Sequence, residues 1–296
     1  MVNVDSSNQI SGKESSRIYV LFYSFFLIPF MIAVFGALFF LLFRFITFET
    51  NSAEDLLNQV KVGSASKRWQ SAFELAKILN NPDLVPLSNS FKDQMISAYQ
   101  RSIHDDPLVR SYLAMAMGAT RDTTYGSTLL NGLNDDNLES QIASIQSVGL
   151  IGYLPAVPEL KDITIRSESH SERLAATIAL GMIGDQTSIP HLTSLLDDEE
   201  PNIRWDAAVA LAKMGNNSGV SIIASLLDRE YLNQFKEVDE IEKKQVLMVA
   251  IKVSSLLVDQ RFKSKLITLA ETDVDLSIRD AAIKTLEKKY SASITS

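Results

Sequence analysis

The chain has 296 residues, 46% of them apolar, 22% charged and none cysteine, which excludes a collagen, a disulfide scaffold and wholesale disorder. Lys and Arg number 28 against 36 Asp and Glu, a formal charge of -8 that argues against binding nucleic acid through its phosphates. Ten of the 14 phenylalanines lie between Phe22 and Phe48, and only Phe73, Phe91, Phe235 and Phe262 fall in the rest, so two physically different regions share the polypeptide.

Residues 1–17 are polar, Ser-rich and without periodicity, the composition of a disordered tail. From Ile18 to Phe43 no residue is charged, and a helix of that length reaches roughly 39 Å, more than a bilayer's hydrocarbon core. The run lacks a small-x-small cleavage site, so residues 18–47 read as a retained single transmembrane helix. Pro29 and Gly36 are tolerated in such spans, Arg44 can snorkel from the end, and Tyr19 and Tyr23 suit the opposite interface. Lys13 and Arg17 before the span, against Arg44 after it, lean toward an amino terminus inside and a large domain outside the cytoplasm. Residues 48–65 are expected to be a linker, and residues 291–296 a short tail.

Beyond the linker an amphipathic helical pattern recurs. Aligning Arg110, Gln141, Arg173 and Arg204 gives intervals of 31, 32 and 31 residues, the spacing of stacked supersecondary units. Each copy, such as SESHSERLAATIALG or EEPNIRWDAAVALAKMG, is followed by a turn and a second helical stretch such as TSIPHLTSLLDD. RWQSAFELAKIL from Arg68 and RDAAIKTLEKKY from Arg279 are divergent flanking copies. The expected fold is therefore all-α: an α-solenoid of about six or seven helical hairpins over 66–290, preceded by one transmembrane helix. Asp228 to Lys244, with six acidic and four basic residues, reads as a solvated insertion, and QVLMVAIKVSSLLVD after it as a buried repeat helix.

The pattern D-x-x-V-R-x-x-A-A-x-A-L-G resembles the HEAT repeat, especially the short variety named after phycobilisome lyases. Val109, Arg110, Ala114 and Gly118 carry it, as do Arg173, Ala176, Leu180, Gly181 and Gly184, and Ile203, Arg204, Ala207, Ala208 and Leu211. With the preceding span, the chain resembles bacterial membrane-anchored HEAT-repeat proteins. The resemblance implies an inner-membrane location, a concave surface lined by the Val-Arg helix, and a role as scaffold or protein-binding surface, with no reaction attached.

The aspartates ahead of the aligned arginines, Asp105, Asp135 and Asp197 with Asp106, Asp136 and Asp198, stand where helix N-caps are expected. The recurring Arg68, Arg110, Arg173, Arg204 and Arg279 are structural repeat positions, expected to form a ladder of bonds between repeats to those aspartates. Trp69 and Trp205 occupy the same repeat position, and with Tyr112 they are the candidate partner-binding residues; the competing reading is that the tryptophans are core. No catalytic, metal-binding or cofactor-binding residue is identified. The His-Glu pairs with which the HEAT-repeat enzyme deoxyhypusine hydroxylase holds iron are missing, since Asp105 follows His104, Ser171 follows His170 and Leu192 follows His191. Neither a phosphate loop nor a nucleophile elbow is present. The expected function is a non-catalytic, membrane-tethered adaptor for a protein partner; the alternatives are an enzyme or accessory of the bilin-lyase type, and a self-assembling structural protein.

Overall fold

The computed structural model describes residues 22–47, 52–104 and 106–290. The expectations for residues 1–17, Tyr19, the Arg44 side chain, Asp105 and residues 291–296 lie outside the described residues. The chain divides at Asn51 into two units.

In the first unit, helix α1 (Ile28–Thr47) is preceded by a π-helical turn, Tyr23–Leu27. The cause is Pro29. Its ring clashes with the carbonyl four residues back, and the preceding turn widens so that the Ile28 N–H bonds to the Tyr23 carbonyl five residues away. The stretch Phe25–Phe43 is long and apolar enough to cross a membrane, and Phe26, Phe30, Phe35 and Phe39 all present exposed rings.

The second unit is a row of seven helical hairpins. Their first, or A, helices are α2 (Ala53–Val62), α4 (Asn89–Arg101), α6 (Gly126–Asn131), α8 (Val157–Arg166), α10 (Ile189–Ser194), α12 (Val220–Leu226) and α15 (Gln260–Thr272). Their second, or B, helices are α3 (Ala65–Ile78), α5 (Pro107–Ala119), α7 (Leu138–Leu150), α9 (His170–Ile183), α11 (Pro201–Lys213), α14 (Glu240–Ser254) and α16 (Leu276–Tyr290). A short helix, α13 (Arg229–Leu232), lies inside the sixth hairpin.

The hairpin runs from A to B, so the arginine-bearing segment is the second helix of each unit and not the first. This shift corrects the expected linker. Residues Ala53–Val62 are the A helix of the first hairpin, started by a capping box between Ser52 and Asp55 and burying Leu56, Leu57 and Val60. Its partner is the RWQSAFELAKIL segment.

B helices pack directly on one another, whereas most A helices pack chiefly on B helices. Glycine permits the close approach. Gly118, Gly149 and Gly181 each stand eight residues past the aligned Arg or Gln, and each meets the residue six past the aligned position in the next B helix. A Cβ on Gly149 would lie 2.8 Å from the Cα of Ala179, and one on Gly181 2.5 Å from the Cβ of Ala210. In α7 the small residues are serines: the Ser147 hydroxyl donates to the Ala114 carbonyl at 2.8 Å and Ser140 donates to the Pro107 carbonyl at 3.2 Å, both on α5, while the buried Ser144 hydroxyl donates to the Ser140 carbonyl at 3.0 Å.

The insertion is folded back and not a solvated excursion. Leu232 and Val238 are buried, and Phe235 packs edge-on against Trp205 with ring centroids 4.9 Å apart.

Candidate functional site

The aligned arginines have two arms. One arm caps the A helix of the same hairpin: Arg68 Nε donates to the Val60 carbonyl at 2.8 Å, Gln141 to that of Leu133 at 2.8 Å, and Arg173 Nε to that of Thr164 at 3.2 Å. These carbonyls have no intrahelical donor and carry the negative end of the helix dipole, so a donor there is favoured. The other arm reaches forward. Arg110 Nη2 donates to Asp135 Oδ1 at 2.5 Å, and Arg173 pairs with Asp198, in each case across the boundary to the next hairpin. Those carboxylates also accept the backbone N–H of Asn137 and Glu200, which opens the next B helix.

The ladder is incomplete. Arg204 donates both to the Asp198 and the Glu199 carbonyls, and among the described residues it has no forward carboxylate and the buried Nε of Arg279 has no hydrogen-bond partner. Asp197 is exposed, and its neighbour Asp198 fills the place expected for it; the next residue starts the turn into α11, so only Asp198 points back to Arg173. In the sixth and seventh hairpins Arg229, from the insertion, supplies a forward pair with Asp273. Their mutual bonding holds the Asp273 carboxyl below the usual carboxylate range despite burial.

Of the candidate partner-binding residues, Trp205 packs in the core, with one side of its ring walling a cleft between α11 and α14. It is 4% exposed, boxed in by Phe235 and Tyr231, and its indole N–H points at the Tyr231 hydroxyl at 3.4 Å. Trp69 is half-buried against the core, and Tyr112 is half-buried with its ring 5.3 Å from that of Phe73.

Sequence reasoning missed the side chains that do face solvent from the B row. Five residues past Arg68, Arg110, Gln141 and Arg173 stand Phe73, Met115, Gln146 and Ile178, with Phe73 44% exposed, whereas Val209, five past Arg204, is buried. Met182, one turn beyond Ile178, is exposed as well. At the far end Met248 and Val249 border a groove of about 400 Å³ shared with Lys284, which again stands five past its aligned arginine, Arg279. The B face thus carries an apolar ribbon interrupted by Gln146. The signal was in the repeat alignment: Phe73, Met115 and Ile178 share a position that is apolar and not buried.

Other features carry less chemistry. A crevice of about 480 Å³ beside Tyr99, Asn131 and Asp135 contains Arg110, whose charge is already engaged by Asp135. Burial pushes the Tyr99 phenol above its ordinary pKa, although it hydrogen-bonds Ser144 at 3.1 Å. His191, whose pKa burial lowers, bonds the Thr164 hydroxyl at 2.7 Å, and His170 faces Glu200 at 3.4 Å. Among the described residues no group of three or more His, Asp or Glu side chains is placed to hold a metal ion.

The family profile for HEAT repeats matches residues 157–238, which span α8 to the insertion. No curated protein matches the sequence. Among solved structures, the complex of CpcE and CpcF of phycocyanin lyase from Nostoc sp. PCC7120 superposes with a TM-score of 0.55 at 17% identity, covering 82% of this chain and 90% of that one. Human deoxyhypusine hydroxylase matches at 15% identity over 81% of this chain and 85% of its own, with a TM-score of 0.35. YibA of Escherichia coli matches at 15% identity over 79% and 92%, with a TM-score of 0.45. Residues 157–238 are HEAT repeats, and the chain is an α-solenoid with the fold of the phycocyanin-lyase structure.

Proposed function

We propose that the protein is a membrane-tethered adaptor that binds a protein partner along the B-helix face. The observation that carries this reading is the ribbon of exposed Phe73, Met115 and Ile178 at equivalent positions of stacked helices, with Met182 one turn beyond Ile178. Scattered apolar surface residues need no explanation, but a row fixed by the repeat presents an aligned set of anchors, and aromatic and Met side chains suit interface cores. The apolar helix Phe25–Phe43 supports the tether, which raises the effective concentration of this surface near other membrane proteins.

The test is co-purification of the tagged chain from gently solubilised, crosslinked membranes beside a Phe73→Ser/Met115→Ser/Ile178→Ser variant. A partner retained by the native chain and lost by the variant, at unchanged melting temperature, is the expected result. Equal retention by both, or no crosslinked partner at all, overturns the reading. Carbonate extraction checks the tether: the chain stays with the membrane pellet, and deletion of residues 22–47 releases it.

The shared fold with the phycocyanin-lyase structure favours a second reading, an enzyme accessory that handles a small ligand. The crevice beside Tyr99 and Asp135 has the volume for one. A chromophore absorbance retained through purification would select this reading over the adaptor.

A further inference from the structure

Along the B row one seam is built differently. Glycines close the seams after α5, α7 and α9, but the corresponding residue of α11 is Ala212. Between α9, α11 and α14 the face opens into a cleft of about 220 Å³. Trp205, Val209, Val246 and Val249 wall it, and Asp206 and Glu242 bring two carboxylates. No lysine, arginine or histidine lines it.

Asp206 has neither an ion pair nor a hydrogen bond among the described residues. The surrounding apolar groups desolvate it and push its carboxyl up to about 6, an effect that the charge of Lys213, two turns along α11, offsets only in part. A carboxylate held among apolar walls without a counterion carries a free-energy cost that an arriving cation relieves. The cleft is smaller than cofactor pockets and suits one side chain. A calcium ion takes six to eight oxygens, more than the two carboxylates and the Asn202 and Gln245 amides would readily bring, and among the described residues no three acidic or His side chains gather to hold a metal. Lysine and arginine match both halves of the site, because their methylene stems pack on apolar surface while the head keeps a charge partner.

We propose that this cleft receives one lysine or arginine side chain of the protein partner, its methylenes against Trp205 and Val249 and its charge between Asp206 and Glu242. The inference rests on the reading of the B face as the partner surface, and it supplies what the apolar ribbon lacks, a charge that fixes the partner's register.

The probe is n-butylguanidinium, the arginine head and stem, titrated into the full chain carrying Trp69→Phe so that Trp205 alone reports by fluorescence. The expected result is a saturable change at millimolar probe, absent with n-butanol or pentanoate, and weakened about tenfold by Asp206→Asn but not by Asp206→Glu. Binding strengthens between pH 5 and pH 7 as Asp206 ionises; Glu242 on α14 and Lys213 on α11 are the other charged groups there, while Leu174 and Leu226 face it from α9 and α12. Failure of the cation to saturate, equal binding of butanol, or indifference to Asp206→Asn each overturns the proposal. A partner still retained by Asp206→Asn protein in that event leaves the adaptor reading standing and removes this inference alone.

Discussion

Arg110 and Asp135 meet across the boundary between the second and third hairpins through two contacts of 2.5 Å, Nη2 to Oδ1 and Nε to Oδ2. Both side chains are buried, so one charge-assisted hydrogen bond, from Nη2, and an ion-pair contact at Nε that is not itself a hydrogen bond are sealed from water. Removing one partner strands the other. Arg110→Met therefore lowers unfolding stability by about 3–5 kcal/mol, and the double change Arg110→Met/Asp135→Leu recovers most of it. The control is Arg166→Met, whose contacts with Glu159 and Asp162 are half-exposed and worth below about 1 kcal/mol. Urea unfolding followed by circular dichroism compares the three; equal losses in Arg110→Met and Arg166→Met would refute the assignment.

Trp205 joins the insertion to the stack. Its ring meets Phe235 edge-on at 4.9 Å and 87°, and Phe235 in turn meets Tyr231 at 5.3 Å. Trp205→Ala empties this cluster at a cost of about 3–5 kcal/mol and frees the segment 233–238 for proteolysis. Trp69→Ala, at a half-buried site, costs less. Limited proteolysis that cleaves both variants at the same rate and place would count against the anchoring role.

These two relationships show which parts of the molecule were legible in the sequence. The period of Arg110, Gln141, Arg173 and Arg204 revealed the stacked hairpins, because each repeat reuses the same contacts. It could not reveal the phase, since A and B helices alternate without a break in the pattern; hence Ala53–Val62 read as linker. Trp205 and Trp69 share a repeat position yet differ in burial, because only Trp205 has the insertion folded over it, a contact between residues about 30 apart that no local pattern encodes. Phe73 and Met115 were passed over for the opposite reason: apolar residues in a helix read as core until the neighbouring helices are placed.

Gly149 lies where α7 crosses α9, and a Cβ there would stand 2.8 Å from the Ala179 Cα and 2.9 Å from its Cβ. Backbone cannot step aside as a flexible side chain can. Gly149→Val forces the two helices apart and destabilises by about 1–3 kcal/mol or more, despite valine's greater apolar surface. Gly36→Val, with nothing within 4 Å of its added Cβ, is the silent comparison. Thermal unfolding by circular dichroism checks the pair, and a Gly149→Val melting point equal to that of the native chain would show that the B row is not closely packed there.

Asp206 and Asp122 predict pH dependences of opposite sign. Lys92 and the Thr124 hydroxyl and amide outweigh partial burial and draw the Asp122 carboxyl down to about 2, so its contribution is present above the unfolded value near 3.8 and disappears as pH falls through about 2. The Asp206 carboxyl is raised to about 6, so the folded chain holds a proton that the unfolded chain has released between about pH 4 and 6. Stability from this group is present below about pH 4 and lost as pH rises through about 6. Asp206→Asn removes that slope and leaves the chain more stable than the native one at pH 7, whereas Lys92→Met weakens it there. Urea midpoints measured from pH 2 to 7 read both effects, and an Asp206→Asn curve parallel to the native curve would place the Asp206 carboxylate in water and not in the apolar cleft.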